Sequence, residues 1–233
     1  MNVTEVLALL DAERDERGIR HWQKLGARDG GLRTYGIGLT RLRAMAKKMG
    51  RDRALAQALW TTDVYDARVL ALLIDDPAQI TRAQAEQQVD QVGGTLLAHV
   101  FASCDATLAK TPFAVELADA WVQSDDAVRR ACGYTLLYEA SKLSGKKAPG
   151  EAFFLEQVAR IGEAIHGETE QVRMAMGSAL MGIGKRTAAL NRAALAVAQA
   201  VGPIDFTSGS GKCEPFDVAK HLTSDRLREK LGI

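Results

Sequence analysis

An all-α solenoid of stacked, two-helix HEAT-type repeats is the fold class this sequence predicts, and three observations carry the prediction. The run Val128-Arg129-Arg130-Ala131-Cys132-Gly133 returns in degenerate form as Val172-Arg173-Met174-Ala175-Met176-Gly177, with Leu136 answered by Leu180. The offset of about 44 residues lies in the ~40–47 span of such repeats. Helical spacing of apolar residues recurs along nearly the whole chain, and no alternating run of useful length competes as a strand. Residues are 47% hydrophobic but only 6% aromatic, so alanine and leucine carry most of the packing, as in closely stacked helices. Because a solenoid grows repeat by repeat without one central core, the 233 residues read as a single domain, 1–233, whose residues 202–233 form a C-terminal loop and capping helix.

The elements follow in order. Val3, Val6, Leu7 and Leu10 have helical spacing after Asn2, a capping residue. Arg28-Asp29-Gly30-Gly31 breaks the chain at turn formers. Leu39, Leu42, Met45 and Met49 mark a helix that turns Thr40, Arg41, Arg43, Lys47 and Lys48 outward together. Helices are further expected at Leu55 and Leu59 and over Val69 to Ile74. Thr81 with Gln84 offers a capping box for the next. Ala114, Leu117, Ala118 and Trp121 mark another helix, and Ser124 and Asp125 are caps before the first repeat copy. Ser144 to Gly150 is a break. Helices resume at Phe154, Val158, Ile161 and Ile165 and at Leu190, Ala194, Ala198 and Val201, until Pro203 to Gly211 supplies the last break.

Charge and cysteine usage exclude several classes. Cys104, Cys132 and Cys213 are odd in number, far apart and without a C-x-x-C pair, so neither a disulfide framework nor a zinc site is indicated. No metal and no cofactor is expected, and a reducing cytoplasm suits the thiols. Glu5 and Asp11 interrupt the first apolar residues and no run approaches the ~18 residues of a membrane span, so a cytoplasmic protein with no membrane partner is expected. The net charge of +1 argues against a nonspecific polyanion binder, yet the charges are segregated. From Arg28 to Arg53 the basic residues Arg28, Arg33, Arg41, Arg43, Lys47, Lys48, Arg51 and Arg53 face only Asp29 and Asp52. Lys142, Lys146 and Lys147 form a second group; Arg173, Lys185, Arg186 and Arg192 form a third with no acid interleaved. Such segregation either places a basic stripe on one face of a solenoid or marks ordinary solvated helix faces.

Two phosphate-binding motifs fail on inspection. Gly209-Ser210-Gly211-Lys212-Cys213 has Phe206 where a phosphate loop needs its first glycine, and no Ser or Thr follows Lys212. Gly36-Ile37-Gly38 lacks a third glycine and a preceding strand. Cys213 and His221 are too isolated for a metal centre.

An ordered set of segments carries a family resemblance: Tyr35-Gly36-Ile37-Gly38-Leu39-Thr40-Arg41-Leu42-Arg43, Ala58-Leu59-Trp60, Asp66-Ala67-Arg68-Val69-Leu70-Ala71, Lys110-Thr111-Pro112-Phe113-Ala114, and Trp121 through Ala131. In this order they resemble DNA alkylation repair (AlkD-like) HEAT-repeat proteins from about residue 15 to residue 201, and the tail from Gly202 to Ala219 is similar to that of a divergent bacterial branch. The resemblance implies a concave, basic surface embracing duplex DNA and, in competent members, excision of cationic N3- or N7-alkylated purines. Such a base is already a good leaving group. The site's main task is therefore electrostatic: a carboxylate beside the developing oxocarbenium, aromatic faces against the lesion, and arginines on flanking phosphates.

The sequence departs from that pattern at its centre. The family's Trp-x-x-x-Asp pair should fall within Gly93 to Phe101, which holds neither Trp nor carboxylate. In the later repeat, Ser178 stands where a second Trp belongs and Met181 where an Arg belongs. What the resemblance still implies is phosphate contact at Arg130 and around Lys142, with Trp60 a packing residue. Among replacements, Asp105, the only carboxylate in the segment after Asp90, is the candidate catalytic group, against the reading of a cap or surface acid. Trp22 and Tyr35, flanking the Gly30-Gly31 turn, are stacking candidates for a displaced nucleotide, or else structural aromatics. His99 reads as a packing or surface histidine, and Glu139 would act as an acid only if it faced the groove. Arg33, Arg41, Lys47, Arg130, Lys142, Arg173, Lys185 and Arg186 are the nucleic-acid-binding candidates. Arg129 and Arg173, at equivalent repeat positions, serve either phosphate contacts or intra-repeat ion pairs. The expected partner is duplex DNA, alkylated or not. The competing expectation is a HEAT-type protein-interaction scaffold that has lost DNA function along with the catalytic pair.

Overall fold

The computed structural model describes residues 1–25, 31–93, 96–103, 105–206 and 214–233, and its described secondary structure is helical. Apart from helices and turns, the described residues contain two isolated bridges, Arg33 with Val64 and Ile204 with Phe216. The helices gather into two compact units, Met1–Phe113 and Ala114–Ile233.

The first unit is built from α1 (Val3–Ala12), α2 (Glu16–Leu25), α3 (Leu39–Met49), α4 (Arg53–Trp60), α5 (Tyr65–Ile74), α6 (Arg82–Val89) and α7 (Leu96–Ala102). The α5 helix is its axis: Asp66, Ala67 and all of Val69 to Ile74 are buried, and α1, α3, α4 and α7 pack around it. A helix apolar on nearly every side must be covered on every side, and each Leu or Ile so buried contributes about 1.5–3 kcal/mol. In α3 only Leu42 and Ala46 are buried, while Thr40, Arg41, Lys47 and Lys48 are exposed as their spacing predicts and Arg43, expected to share that face, is half-buried against Asp105.

One buried carboxylate positions α3. Asp66 has no exposed surface and accepts hydrogen bonds from Thr34 Oγ1 at 2.7 Å, the Tyr35 amide at 2.7 Å and the Ile37 amide at 3.0 Å. These bonds satisfy the acid and fix the extended segment that leads into α3. The glycine of that segment is required for a different reason: Gly36 has φ +77°, and its carbonyl lies so close to Gly18 that a Cβ there would overlap it.

The second unit contains α8 (Ala114–Trp121), α9 (Ala127–Ala140), α10 (Glu151–Ala164), α11 (Glu170–Gly184), α12 (Ala188–Val201), α13 (Val218–Leu222) and α14 (Asp225–Leu231). The two repeat copies are α9 and α11, which pack on each other. Their shared glycines are both contact points. A Cβ on Gly133 would lie 2.7 Å from the Val122 nitrogen at the end of α8, and one on Gly177 would lie 2.6 Å from Ile204 Cδ1. The tail from 202 onward closes with two short helices, α13 and α14, in place of the single capping helix expected. Antiparallel backbone bonds of 2.9 Å each way between Ile204 and Phe216 hold it, and Asn191 Nδ2 donates to the Leu222 carbonyl at 3.2 Å.

Several caps differ from expectation. Asn2 and Glu5 form a full capping box. Thr81 does accept from the Gln84 amide, but the Gln84 side chain turns instead to Asp75 and Arg53, so only half the expected box exists. The cap of α9 is Asp126, one residue beyond Ser124 and Asp125; its Oδ1 accepts from the Arg129 amide at 2.8 Å. No helix among the described residues is long and apolar enough to cross a membrane.

Candidate nucleic-acid interface

In the second unit a cleft of about 520 Å³ opens where the C-terminal end of α9 meets the α11–α12 corner and α14. Lys142, Lys185, Arg186 and Lys230 line it, and among the described lining residues none is acidic. Each cation reaches it for a local reason. The last carbonyls of α9 lack partners within the helix. Arg186 supplies one, donating through Nη1 to the Ser141 carbonyl and, at 2.9 Å, to that of Leu143, while its guanidinium lies 4.5 Å from the Phe154 ring centre. Lys142 sits 4.0 Å above the Tyr138 ring and donates to Glu139 Oε1 at 2.8 Å. From α14, Lys230 Nζ donates to the Lys185 carbonyl at 3.3 Å. Burial, and then the neighbouring Lys230, push the Lys185 ammonium below the ordinary lysine range. With Glu139 paired to Lys142 and no acid among the described lining residues, four cations against one neighbouring carboxylate leave the cleft positive, and its chemistry is to accept an anion.

Three of the other basic candidates, Arg130, Arg33 and Arg41, are already engaged. Arg130 donates through Nε and Nη2 to the two carboxylate oxygens of Glu168 at 2.7 and 2.8 Å. Its Nη1 reaches the carbonyls of Ser124 and Asp125, both at 2.8 Å. With 21% and 11% of the two side chains exposed, this is a bidentate internal clamp, and the hydrogen bond to Glu168 raises the pKa of Arg130. The resemblance points to a phosphate contact at this position; the structure gives its guanidinium an internal acceptor at each nitrogen. Arg173 is half-buried in α11, with an Nε that has no hydrogen-bond partner among the described residues. In the first unit, Arg33 donates to Asp63 at 3.0 Å and to the Tyr35 hydroxyl at 3.2 Å, and Arg41 pairs with Glu13.

The aromatic candidates divide. Tyr35 is buried and so presents no free face, whereas Trp22 is half-buried with Tyr65 at 4.5 Å between ring centres. Trp60 is buried and donates to Gln91 at 2.8 Å, as a packing residue should. The interval that lacks the Trp and Asp pair falls largely on α7, where Leu97, Ala98, Val100 and Phe101 are all buried. His99 is exposed there, and Glu139 is tied to Lys142. The Gly209–Cys213 stretch, Arg28, Cys104 and Cys213 lie outside the described residues. Among the described residues no group of three or more His, Cys, Asp and Glu is arranged to hold a metal.

Asp105 lies in a second cleft, of about 360 Å³, in the first unit, with Lys47 among its other lining residues. Its carboxylate is 71% exposed and sits 3.2 Å from Arg43 Nε. No aromatic side chain lines this cleft among the described residues.

Two residues were missed in the sequence. Lys230 stood in a tail read only as a cap, and its pairing across 45 positions with Lys185 leaves no local signal. Glu168 is 38 residues from Arg130 and gave no sign of being its partner.

Comparison with known proteins bears on the family and the fold. The family described as DNA alkylation repair enzyme matches residues 6–203. No curated protein sequence matches the chain. A solved structure described as a new family of proteins related to the HEAT-like repeat DNA glycosylases with affinity for branched DNA structures superposes with a TM-score of 0.84. Its identity to this chain is 22%, over 100% of this chain and 97% of that one. The likeness establishes the fold as that of the HEAT-like repeat proteins.

Proposed function

This chain belongs to the DNA alkylation repair enzyme family, and on that premise we propose that it binds duplex DNA through its phosphates, prefers branched over linear DNA, and does not excise alkylated bases. The observation that carries the reading is the cleft of Lys142, Lys185, Arg186 and Lys230, with no acid among its described lining residues. Three lysine ammonium groups at one opening can meet the charged oxygens of a phosphodiester backbone, and backbone contacts of this kind position DNA without reading its sequence. The preference for branched DNA is supported by what the structural neighbour is described as binding. A junction brings more phosphates within reach of one basic surface than a linear duplex does. Excision is set aside because α7 carries no Trp and no carboxylate where the resemblance places the family's pair, and because no aromatic side chain is among the described residues that line the Asp105 cleft.

The test is fluorescence anisotropy with a linear duplex and a four-way junction across 50–200 mM salt, beside a time course of free-base release from DNA carrying N7-methylguanine. Three phosphate contacts at this cleft contribute about −2.7 to the slope of log K on log salt, a loss of roughly 40-fold or more over that range. The junction binds more tightly than the duplex, and base release matches spontaneous depurination. A flat salt response, or no binding at 50 mM, overturns the DNA reading and leaves a protein-interaction scaffold. Base release above background overturns the non-catalytic part.

A further inference from the structure

The first unit holds a second basic cleft, and one carboxylate sits among its four cations. Arg43 and Lys47 come from α3, Arg51 follows that helix, and Lys110 follows α7; Asp105 is the acid among the described lining residues. Two of the cations are held in place by carbonyls. Arg51 Nη1 donates to Leu73 at 2.6 Å and Asp75 at 3.0 Å, and Lys110 Nζ donates to the Asp105 carbonyl at 3.0 Å. Lys47 is exposed and has no salt-bridge partner among the described residues. Asp105 itself has φ +71°, the left-handed region that Asp and Asn tolerate better than other side chains, and its Oδ2 lies 3.2 Å from Arg43 Nε.

We propose that this cleft is a second phosphodiester-binding site, and that Asp105 is its resident counter-ion, which a DNA phosphate displaces from Arg43. The inference rests on the DNA-binding reading above. The carboxylate offers Arg43 the same kind of oxygen acceptor that a phosphate would, and one acid against four cations leaves the cleft positive. The pair is also easy to exchange, because ion pairs this exposed are weak and screened by salt. Arg43 exchanges one anionic partner for another, while Lys47 and Lys110 gain one. Asp105 thus sets how tightly the first unit holds DNA, and serves as a brake on affinity rather than as a reacting group.

Asp105→Asn tests this. Asn is at ease at positive φ, so the fold is retained, and Asp105→Gly, which suits the same backbone, provides a second variant. Binding of the labelled four-way junction is compared with that of Asp11→Asn, which removes the same charge from exposed α1 of the same unit. Both Asp105 variants should bind roughly 3- to 10-fold more tightly at 50 mM salt, because Arg43 then takes a phosphate without first giving up a carboxylate. Adding Lys47→Gln to Asp105→Asn should abolish the gain. Wild-type binding with Asp105→Asn indistinguishable from Asp11→Asn overturns this inference alone; absence of wild-type binding overturns the DNA reading and this inference with it. Unchanged binding in Asp105→Asn, with base release above background in the wild type that the variant loses, would make Asp105 catalytic and also overturn the proposal.

Discussion

Replacing Arg130 by alanine separates a residue that holds the fold from one that holds DNA. The substitution leaves Glu168, whose side chain is only 11% exposed, without its cation, and the carbonyls of Ser124 and Asp125 without their donor. Removing one partner of a fully buried pair costs about 3–5 kcal/mol. Each charged hydrogen bond is worth about 1.5–3 kcal/mol. Water admitted by the remaining exposure reduces the sum, so about 2–4 kcal/mol is expected in total. At roughly 2–4 °C per kcal/mol for a domain of this size, thermal denaturation followed by circular dichroism should show Tm lower by about 4–16 °C. DNA affinity, measured by anisotropy at a temperature where the variant is folded, should change less than about twofold. Glu168→Gln provides the opposing test. If Arg130 served DNA, relieving it of its carboxylate would tighten binding. Under the clamp reading, that variant loses stability and gains no affinity. An Arg130→Ala protein with unchanged Tm and a salt slope shallower by about 0.9 would refute the reasoning.

Other expectations follow from the same geometry. Lys185→Gln with Lys230→Gln should flatten the salt slope by about 1.8 in anisotropy titrations and leave Tm unchanged or raised, since it removes two like charges that face each other. Gly133→Ala should destabilise by about 1–3 kcal/mol in urea denaturation, because a Cβ there meets backbone of the α8 end. That clash outweighs the ~1 kcal/mol by which Ala is the better helix former. Burial pushes the Cys132 thiol up to about 12, so at pH 8 only about one molecule in 10⁴ carries the thiolate. Peptide mapping after a thiol reagent should find Cys132 unmodified in the native protein and modified in denaturant; modification without denaturant would show that α9 opens.

Much of the fold was legible because its signals are local or periodic. The repeat register found α9 and α11 and their two contact glycines, and the spacing of Leu39, Leu42 and Met45 found the outward face of α3. The site was less legible, because its pairings are distant in sequence. Arg130 reads as a free cation until Glu168 is brought against it, and Tyr35 reads as an available ring until the segment carrying it is folded under Asp66. The cap of α9 slipped by one residue because Ser124, Asp125 and Asp126 are all competent caps, and only the backbone geometry chooses among them.

The bonds to Asp66 have a consequence for how such a chain can diverge. The segment leading to α3 is secured from beneath, by Thr34, Tyr35 and Ile37 binding a carboxylate on α5, while Arg41, Lys47 and Lys48 project from α3 on the solvent side and take no part in that anchorage. Mutations on the outer face therefore sample new chemistry at little risk to folding. What the outer face of α3 binds can change with the scaffold intact, because the acid that anchors the helix lies beneath that face.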